Sequence, residues 1–268
     1  MAQINWNEWS EETLLLAKKE NKPIFLSIGF FTCFWCHVME DKLYRELDFA
    51  AVINSEYIPI KVDKDERPDI DEIYLYAREL ISKSSSWPNH VLLTPEGHPF
   101  MAMGVMLDSE INKIANRFHD IAESWKTNEV AIRNAANQIA ELVIQEFSGG
   151  IAEGDGTPDK AVVEDLFSYL ENHYDEARGG FYGDPKFPHE NFILFLLAYH
   201  RRLGNERALE IASQSLKKMA GGGIYDHIAG GFHRYTIDSE WQIPHFEKML
   251  YNQSLLGRCY AELFQQTG

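Results

Sequence analysis

The first half of the chain alternates short apolar runs with amphipathic stretches. Two runs, PIFLSIGF at 23–30 and YIPIKVD at 57–63, have the length and apolar content of buried strands. Two later runs, VLLTP and PFMAMGVM, are separated only by the turn EGH at 96–98, so the two strands they predict are antiparallel. Helical patterns predict helices at 11–20, over CHVMEDKLY and DFAAVINSE, at 67–82, and onward from near Ser109.

These elements follow the order βαβα and then ββα. Cys33 and Cys36 lie between the first strand and the first main helix. This order, with a redox-spaced cysteine pair at that point, is the thioredoxin arrangement. We therefore predict an α/β thioredoxin-like domain with C-terminal helices over residues 1–147.

The second half has only helical periodicity. Glycines and a proline in SGGIAEGDGTPD interrupt the pattern, which predicts a linker at 148–158 and an all-α domain at 159–268. The helices of that domain are predicted at about 159–174, 190–203, 205–220 and 246–265.

The loops between these helices partly repeat. GGFYGD begins at Gly179, GGIYDH begins at Gly222, and GGFHRY follows at Gly230. The first two are separated by about one helical hairpin, the spacing expected when hairpins stack side by side. The repeat predicts a helical toroid or solenoid whose loops gather at one rim.

Charge limits the partners. The chain has 41 acidic and 25 basic residues, a formal net charge of -16, which disfavours nucleic acid and anionic membranes. The N-terminal residues lack the apolar core of a signal peptide, and the longest apolar run, FILFLLAY at 192–199, is too short to span a bilayer. We expect a cytoplasmic protein, in which a disulfide is transient.

The motif CFWCH at 33–37 has four interpretations. A redox pair, a haem attachment point, a zinc corner and two buried structural cysteines all fit the letters. A haem protein of this type needs export, and a zinc site needs more ligands than the distant Cys259 supplies. The redox interpretation needs no metal or cofactor. In it Cys33 is the nucleophile, Cys36 resolves the mixed disulfide, and His37 helps to hold negative charge.

Long stretches of the chain resemble a known family. KPIFLSIGFFTCFWCHVME, YIPIKVDKDERPDID and SSWPNHVLLTPEGHPF resemble the N-terminal domain of the spermatogenesis-associated thioredoxin-like proteins. GGFYGDPKFP and GGIYDHIAGGFHRYTIDSEWQIPHFEKMLY resemble that family's helical domain, which is similar to the six-hairpin α/α toroids of sugar epimerases and glycosidases. The resemblance runs nearly end to end and implies a thioredoxin-like domain followed by an incomplete α/α toroid.

The resemblance also implies site residues. It places Trp87 and Pro88 in the loop that thioredoxin folds set beside the cysteines, with Pro88 as a candidate for a cis peptide bond. Phe34 and Trp35 replace the usual Gly-Pro insert and are expected to wall the site. Ser27 stands where these folds usually have a buried acid, and MAMGVM replaces a Gly-Gly-Thr-Tyr type stretch. These departures favour a specialised thiol enzyme over a general protein reductase, with a protein thiol or a small thiol as partner.

In the helical half, a toroid would bring polar and aromatic rim residues towards one cavity. Such a cavity would suit a sugar, with His245 and Glu247, just after Pro244 at a predicted helix start, as acid and base. The alternative is that these residues only cap helices and pack hairpins. The rim residues are Tyr182, Asp184, Lys186, Asp226, His227, His233, Arg234, Tyr235, Trp241, His245 and Glu247.

The helical half is too short to close a ring of this type. An incomplete ring exposes apolar helix faces, which predicts self-association or a partner subunit. Three functions therefore stay open: a thiol–disulfide oxidoreductase, a carbohydrate-active or carbohydrate-binding protein with the thioredoxin fold as docking module, and a non-catalytic scaffold.

Overall fold

The computed structural model describes residues 3–107, 111–149 and 159–268. The chain divides into two compact units, Met1–Ala152 and Glu153–Gly268, here called the N-terminal and C-terminal units. The division falls inside the segment 148–158 that the sequence assigns to a linker, and most of that segment lies outside the described residues. Within the described ranges, no helix is long and apolar enough to cross a membrane.

The N-terminal unit follows the predicted order of strands and helices. Its elements are α1 (Glu11–Glu20), β1 (Ile24–Gly29), α2 (Phe34–Met39), a π turn (Glu40–Tyr44), α3 (Leu47–Glu56), β2 (Ile58–Asp63), α4 (Pro68–Ser82), β3 (Asn89–Leu93), β4 (Pro99–Met103) and α5 (Ile111–Ser148). The predicted start of the last helix at Ser109 lies outside the described residues. Asn128 has non-helical backbone angles inside α5, so a kink divides this helix.

The four strands form one sheet in the order β2-β1-β3-β4. The strand β1 pairs in parallel with β2 and antiparallel with β3, and β3 pairs antiparallel with β4. The short turn at 96–98 therefore closes a hairpin, as predicted. Together with the helix that follows the cysteines, this topology confirms the thioredoxin-like fold.

Helices cover both faces of the sheet. Phe25 and Leu92 lie in a core with α2, the π turn, α3 and the first half of α5. Ile24 and Leu26 lie in a second core with α1, α4 and the end of α5. Because β1 is buried on both faces, its sequence is almost entirely apolar. Ser27 is the polar exception.

The C-terminal unit is helical around one apolar core. Asp159 and Asn205 cap α6 and α8, since their side chains accept hydrogen bonds from Ala161 N and Ala208 N. The last helix begins at Leu250, four residues later than the pattern predicts. The four helices are α6 (Lys160–Asn172), α7 (Glu190–Leu203), α8 (Glu206–Gly221) and α9 (Leu250–Thr267).

Candidate functional site

The two cysteines lie at the N-terminus of α2 and form a disulfide. Cys33 is the N-cap residue, and its Sγ accepts a hydrogen bond from the backbone N–H of Cys36 at 3.1 Å. The two Sγ atoms are bonded at 2.18 Å, with the Cα atoms 5.2 Å apart. Because α2 continues directly into the π turn, the positive end of a continuous helix lies at the Cys33 sulfur. This position stabilises a thiolate relative to a thiol.

The two cysteines differ in exposure. Cys33 is 2% exposed, whereas Cys36 is partly exposed and lines a cleft of about 550 Å³. Phe34 and Trp35, between them, are 50% and 39% exposed and pack edge to face at 5.2 Å between ring centroids. The surface beside the disulfide is therefore aromatic and apolar.

The loop before β3 lies beside the same cleft. The Trp87–Pro88 peptide bond is cis, as the resemblance implies, and Pro88 lines the cleft with Cys36. The Trp87 ring packs edge to face on Phe30 at 5.9 Å, and its Nε1–H donates to the Asp71 carboxylate at 2.8 Å. Burial raises the pKa of Asp71, and the hydrogen bond from Trp87 opposes that shift. Trp87 is thus held by α4.

Arg78, also on α4, holds the same loop and was missed in the sequence. Its guanidinium donates to the carbonyl oxygens of Ser86 at 2.5 Å and Pro88 at 3.2 Å, and to the hydroxyls of Ser84 and Ser86. The residue is only 4% exposed, and burial lowers its pKa. The sequence holds no signal for this role, because only the folded loop brings these partners to Arg78.

His37 lines the same cleft, but its ring is hydrogen-bonded to the backbone and not to a cysteine sulfur. Its Nε2 is 2.7 Å from the backbone carbonyl oxygen of Phe31, and its ring packs edge to face on the Phe31 ring. A ring nitrogen at a carbonyl oxygen is a donor, so the imidazole anchors the loop between β1 and α2. The charge-holding role that the sequence assigns to His37 stays a prediction.

Polar side chains continue from the cleft into the core. The Ser27 hydroxyl is 2.9 Å from the Tyr44 hydroxyl, which is 2.5 Å from His90 Nε2, and His90 Nδ1 is 2.8 Å from the carbonyl oxygen of Gly104. These three side chains, here called the Ser–Tyr–His chain, are at most 4% exposed. Burial raises the pKa of Tyr44 and lowers the pKa of His90 to about 4. A neutral hydrogen-bonded chain therefore occupies the place where an acid is usual.

In the C-terminal unit, the loop repeat has a different register from the one read in the sequence. The Tyr-Asp-x-x-x-Gly-Gly-Phe turns at 174–181 and 225–232 match, with Asp175 and Asp226 in equivalent positions. In each turn the aspartate Oδ1 accepts two backbone N–H groups, and the aspartate backbone bonds the second glycine. The repeat is therefore 51 residues long and pairs Gly179 with Gly230, which corrects the pairing of Gly179 with Gly222.

The aspartates of both turns also bind lysines. Asp175 Oδ2 accepts from Lys186 Nζ at 2.8 Å, and Asp226 Oδ2 accepts from Lys248 Nζ at 2.6 Å. Hydrogen bonds from Lys248 and from the turn backbone lower the pKa of Asp226 far below its ordinary value. Asp226 therefore holds its own turn together.

Four of the predicted rim residues do come together. Glu247 is 3% exposed and binds Arg234 Nη1 at 3.2 Å and His245 Nε2 at 3.1 Å, and Tyr235 stacks on His245 at 4.7 Å between centroids. The predicted helix start after Pro244 is wrong. This segment is extended, with Arg234 N bonded to the Glu247 carbonyl and His245 N to the Tyr235 carbonyl, which carries the Glu247 side chain inward.

The other predicted rim residues make contacts of their own. His227 Nε2 meets the Gly222 carbonyl at 2.9 Å, and His233 packs edge to face on Phe246. Trp241 is 1% exposed and donates to backbone carbonyls, so its ring belongs to the core and is no sugar platform. Lys186 is fully buried, Tyr182 is exposed, and Asp184 precedes a cis-proline.

The sheet topology, the cysteine pair and the cis-proline loop together define a thioredoxin-like protein. A family model described as Thioredox_DsbH, protein of unknown function, DUF255, matches residues 1–144. The chain belongs to this family.

Curated relatives confirm the resemblance read from the motifs. Spermatogenesis-associated protein 20 of Homo sapiens is 36% identical over 274 residues, covering 99% of this chain and 35% of that protein. An uncharacterized protein of Caenorhabditis elegans is 37% identical over 275 residues, covering 98% of this chain and 37% of that protein. The chain thus spans about a third of the length of the curated relatives it matches.

Solved structures match less than half of the chain, at low identity. One titled "DsbH Oxidoreductase" is 21% identical, covers 43% of this chain and 82% of that chain, and has a TM-score of 0.35. A thioredoxin from Thermus thermophilus is 15% identical, covers 46% of this chain and 90% of that chain, and also has a TM-score of 0.35.

Proposed function

We propose that this chain is a thiol–disulfide oxidoreductase in which Cys33 attacks and Cys36 resolves. The observation that carries the proposal is the hydrogen bond from Cys36 N–H to Cys33 Sγ at the start of α2. An amide that donates to one sulfur stabilises the anion there, and the thiolate is the reactive form. The cis-Pro88 loop beside the cleft supports the same proposal.

The reaction has two exchange steps. The reduced Cys33 thiolate attacks one sulfur of a partner disulfide, and the other partner sulfur leaves as a thiolate. Cys36 then loses its proton and attacks the Cys33 sulfur, so the Cys33–Cys36 bond forms and the second partner sulfur leaves. The partner gains two electrons and the chain loses two; the reverse sequence oxidises a dithiol.

The exposed aromatic rings limit the class of partner. Phe34 and Trp35 offer apolar surface on the cysteine side of the cleft, which suits a thiol or disulfide flanked by apolar groups, on a protein or a small molecule. We place the reaction in the cytoplasm, where reduced thiols regenerate the dithiol form.

Alkylation against pH tests the assignment of the two sulfurs. In the reduced Cys36→Ser variant, iodoacetamide reports on Cys33, and in Cys33→Ser it reports on Cys36. We expect Cys33 to titrate well below about 8.5, the value of a free cysteine, and Cys36 to titrate above Cys33. Because Cys36 is the more exposed of the two, the experiment can also find that Cys36 titrates below Cys33. That result would make Cys36 the attacking thiol and Cys33 the resolving thiol. A free-cysteine value for both thiols would contradict the proposal.

A trapping experiment identifies the partner class. The Cys36→Ser variant lacks the resolving thiol, so Cys33 should retain its partner as a mixed disulfide that mass spectrometry can identify. The matched control is Cys33→Ser/Cys36→Ser, which keeps the buried Cys259. Equal capture by the control would show that the trapped species is unrelated to Cys33.

We also propose that the chain self-associates through α9. Leu250 and Phe264 of that helix are 84% and 70% exposed, so the helix offers apolar side chains to a second copy of the chain. Light scattering of the chain and of Phe264→Glu should show a concentration-dependent oligomer that the substitution removes. A monomer at all concentrations would contradict this.

A further inference from the structure

The resolving step needs a place for the proton of Cys36, since a thiol attacks only after it loses its proton. Neither an aspartate nor a glutamate stands at position 27, where the strand passes under the cysteines. The polar groups buried there are the Ser–Tyr–His chain, which ends at His90. Its hydrogen-bond directions decide whether it can take a proton.

These directions follow from the acceptor at the end of the chain. The Gly104 carbonyl can only accept, so the neutral His90 ring carries its proton on Nδ1 and leaves Nε2 as an acceptor. Tyr44 therefore donates its single hydroxyl proton to His90 Nε2. The Tyr44 oxygen must then accept from the Ser27 hydroxyl. The hydroxyl and N–H protons of the Ser–Tyr–His chain therefore all point away from the cleft. The lone pairs of the Ser27 oxygen remain to accept another hydrogen.

Cys36 is the cysteine that shares a side of the sheet with Ser27. Ser27 and Gly29 are two residues apart in β1, so they face the same side of the sheet. A Cβ atom placed on Gly29 would lie 2.8 Å from Cys36 Sγ, which locates this sulfur directly over that side. Cys36, Ser27 and Tyr44 also line the same cleft. Ser27, at the cleft end of the Ser–Tyr–His chain, and the Sγ of Cys36 therefore lie on the same side of the sheet.

We propose that the Ser–Tyr–His chain is a proton relay for the resolving thiol, an inference that rests on the function proposed above. As Cys36 Sγ attacks the Cys33 sulfur of the mixed disulfide, the S–H bond of Cys36 breaks and the partner leaves as a thiolate. The proton passes to the Ser27 oxygen, the Ser27 proton to Tyr44, and the Tyr44 proton to His90 Nε2. The imidazolium then returns its proton to solvent by the same route, and the partner thiolate takes a proton from water.

The surroundings keep the relay neutral at rest. Burial, helped by the nearby Arg78 guanidinium and opposed by the hydrogen bond to the Gly104 carbonyl, lowers the pKa of His90 to about 4, so Nε2 carries no proton at neutral pH. Glu40 and Lys61 flank Tyr44 but bind each other at 2.7 Å.

Stopped-flow mixing of the reduced chain with dithiobis-nitrobenzoate separates the two steps. Attack by Cys33 releases one coloured thiolate, and closure by Cys36 releases the second; Cys36→Ser should show only the first. We expect Tyr44→Phe, which removes only the relaying hydroxyl, to leave the first phase unchanged and to slow the second by about tenfold to a hundredfold near pH 7. The deficit should vanish at high pH, where Cys36 is already a thiolate.

The matched control is Tyr57→Phe. Tyr57 is also buried and donates to a backbone carbonyl, of Phe118, but it lies outside the relay. Its second phase should equal that of the original chain. Ser27→Ala, a smaller change, should slow the second phase like Tyr44→Phe and covers the case in which Tyr44→Phe does not fold.

The outcomes separate the two proposals. A second phase of normal rate in Tyr44→Phe and Ser27→Ala would overturn the relay and leave the oxidoreductase intact. A loss of equal size at every pH, or a loss shared by both phases, would make Tyr44 a packing residue and also overturn the relay. If the original chain shows no first phase, the proposed function itself fails.

Discussion

The buried ion pair of the C-terminal unit offers a sharp test of how its loops are held. Asp175 and Lys186 have side chains 4% and 0% exposed, with Nζ and Oδ2 2.8 Å apart. The Lys186 ammonium also donates to the Ser239 carbonyl at 3.1 Å, and the other Asp175 oxygen accepts from Ala177 N and Arg178 N. Each charge is thus compensated by the other.

Asp175→Asn removes the negative charge but keeps the size and the acceptor oxygen of the turn. It leaves the Lys186 ammonium buried without a counter-charge, and breaking a buried pair in this way costs about 3–5 kcal/mol. Lys186→Met added to Asp175→Asn should recover much of this loss, because no buried charge then remains. We therefore expect a large coupling energy between Asp175 and Lys186 in a double-mutant cycle.

Asp226→Asn is the matched control, because it changes the equivalent residue of the second turn. Its Lys248 partner is 34% exposed, so water can solvate the ammonium that is left behind, and the loss should be clearly smaller. Urea unfolding followed by circular dichroism measures both losses. Hydrogen exchange with mass spectrometry shows whether each loss lies in the C-terminal unit. A loss in Asp175→Asn no larger than in Asp226→Asn would refute the reasoning.

The same pair predicts a direction for pH. Burial raises the pKa of Asp175, but hydrogen bonds from Lys186 and from the turn backbone outweigh it and hold the pKa below its ordinary value. The stabilisation is therefore complete above about pH 4, the ordinary range of an unfolded aspartate, and is lost as the pH falls through the folded pKa. The difference between the original chain and Asp175→Asn should shrink over that interval, and a constant difference would contradict the assignment.

Three further predictions concern single positions. The pKa of His90 falls from about 6.5 to about 4 on folding. The free energy of unfolding of the N-terminal unit should therefore decrease by about 3 kcal/mol as the pH falls from about 6.5 to about 4, and His90→Gln should remove this pH dependence from urea unfolding. Gly29→Ala places a Cβ 2.8 Å from Cys36 Sγ and should destabilise the oxidised form relative to the reduced form by about 1–3 kcal/mol in glutathione buffers; an unchanged equilibrium would contradict the packing. Gly257 lies inside α9 with nothing within 4 Å of an added Cβ, so Gly257→Ala should raise stability by about 0.5–1 kcal/mol, and a decrease would be evidence against this placement.

The fold of the N-terminal unit and the place of its cysteines were predictable from local spacing. A three-residue turn permits only an antiparallel hairpin, and Cys33 comes four residues after the end of a buried strand, so it could be placed at a helix start. Such constraints act between near neighbours in sequence. They are therefore visible in the pattern of letters.

What the sequence did not predict depends on contacts that form only when the elements pack together. Arg78 looks like a surface charge until the Ser84–Pro88 loop folds over it, and Ser27 meets Tyr44 only when the helix packs on the sheet. The helix predicted from 246 begins late because Glu247 turns inward to His245 and Arg234. Helical propensity is weak enough for such tertiary contacts to override it.

The most direct test of the account is the redox equilibrium of the cysteine pair. The chain is equilibrated in glutathione buffers of graded ratio, its free thiols are alkylated after acid quenching, and mass spectrometry locates the label. We predict one reversible transition between dithiol and Cys33–Cys36 disulfide, absent in Cys33→Ser, while Cys259, whose pKa burial raises to about 12, stays outside any disulfide. Cysteines that remain free thiols in every buffer, or a disulfide that includes Cys259, would contradict it.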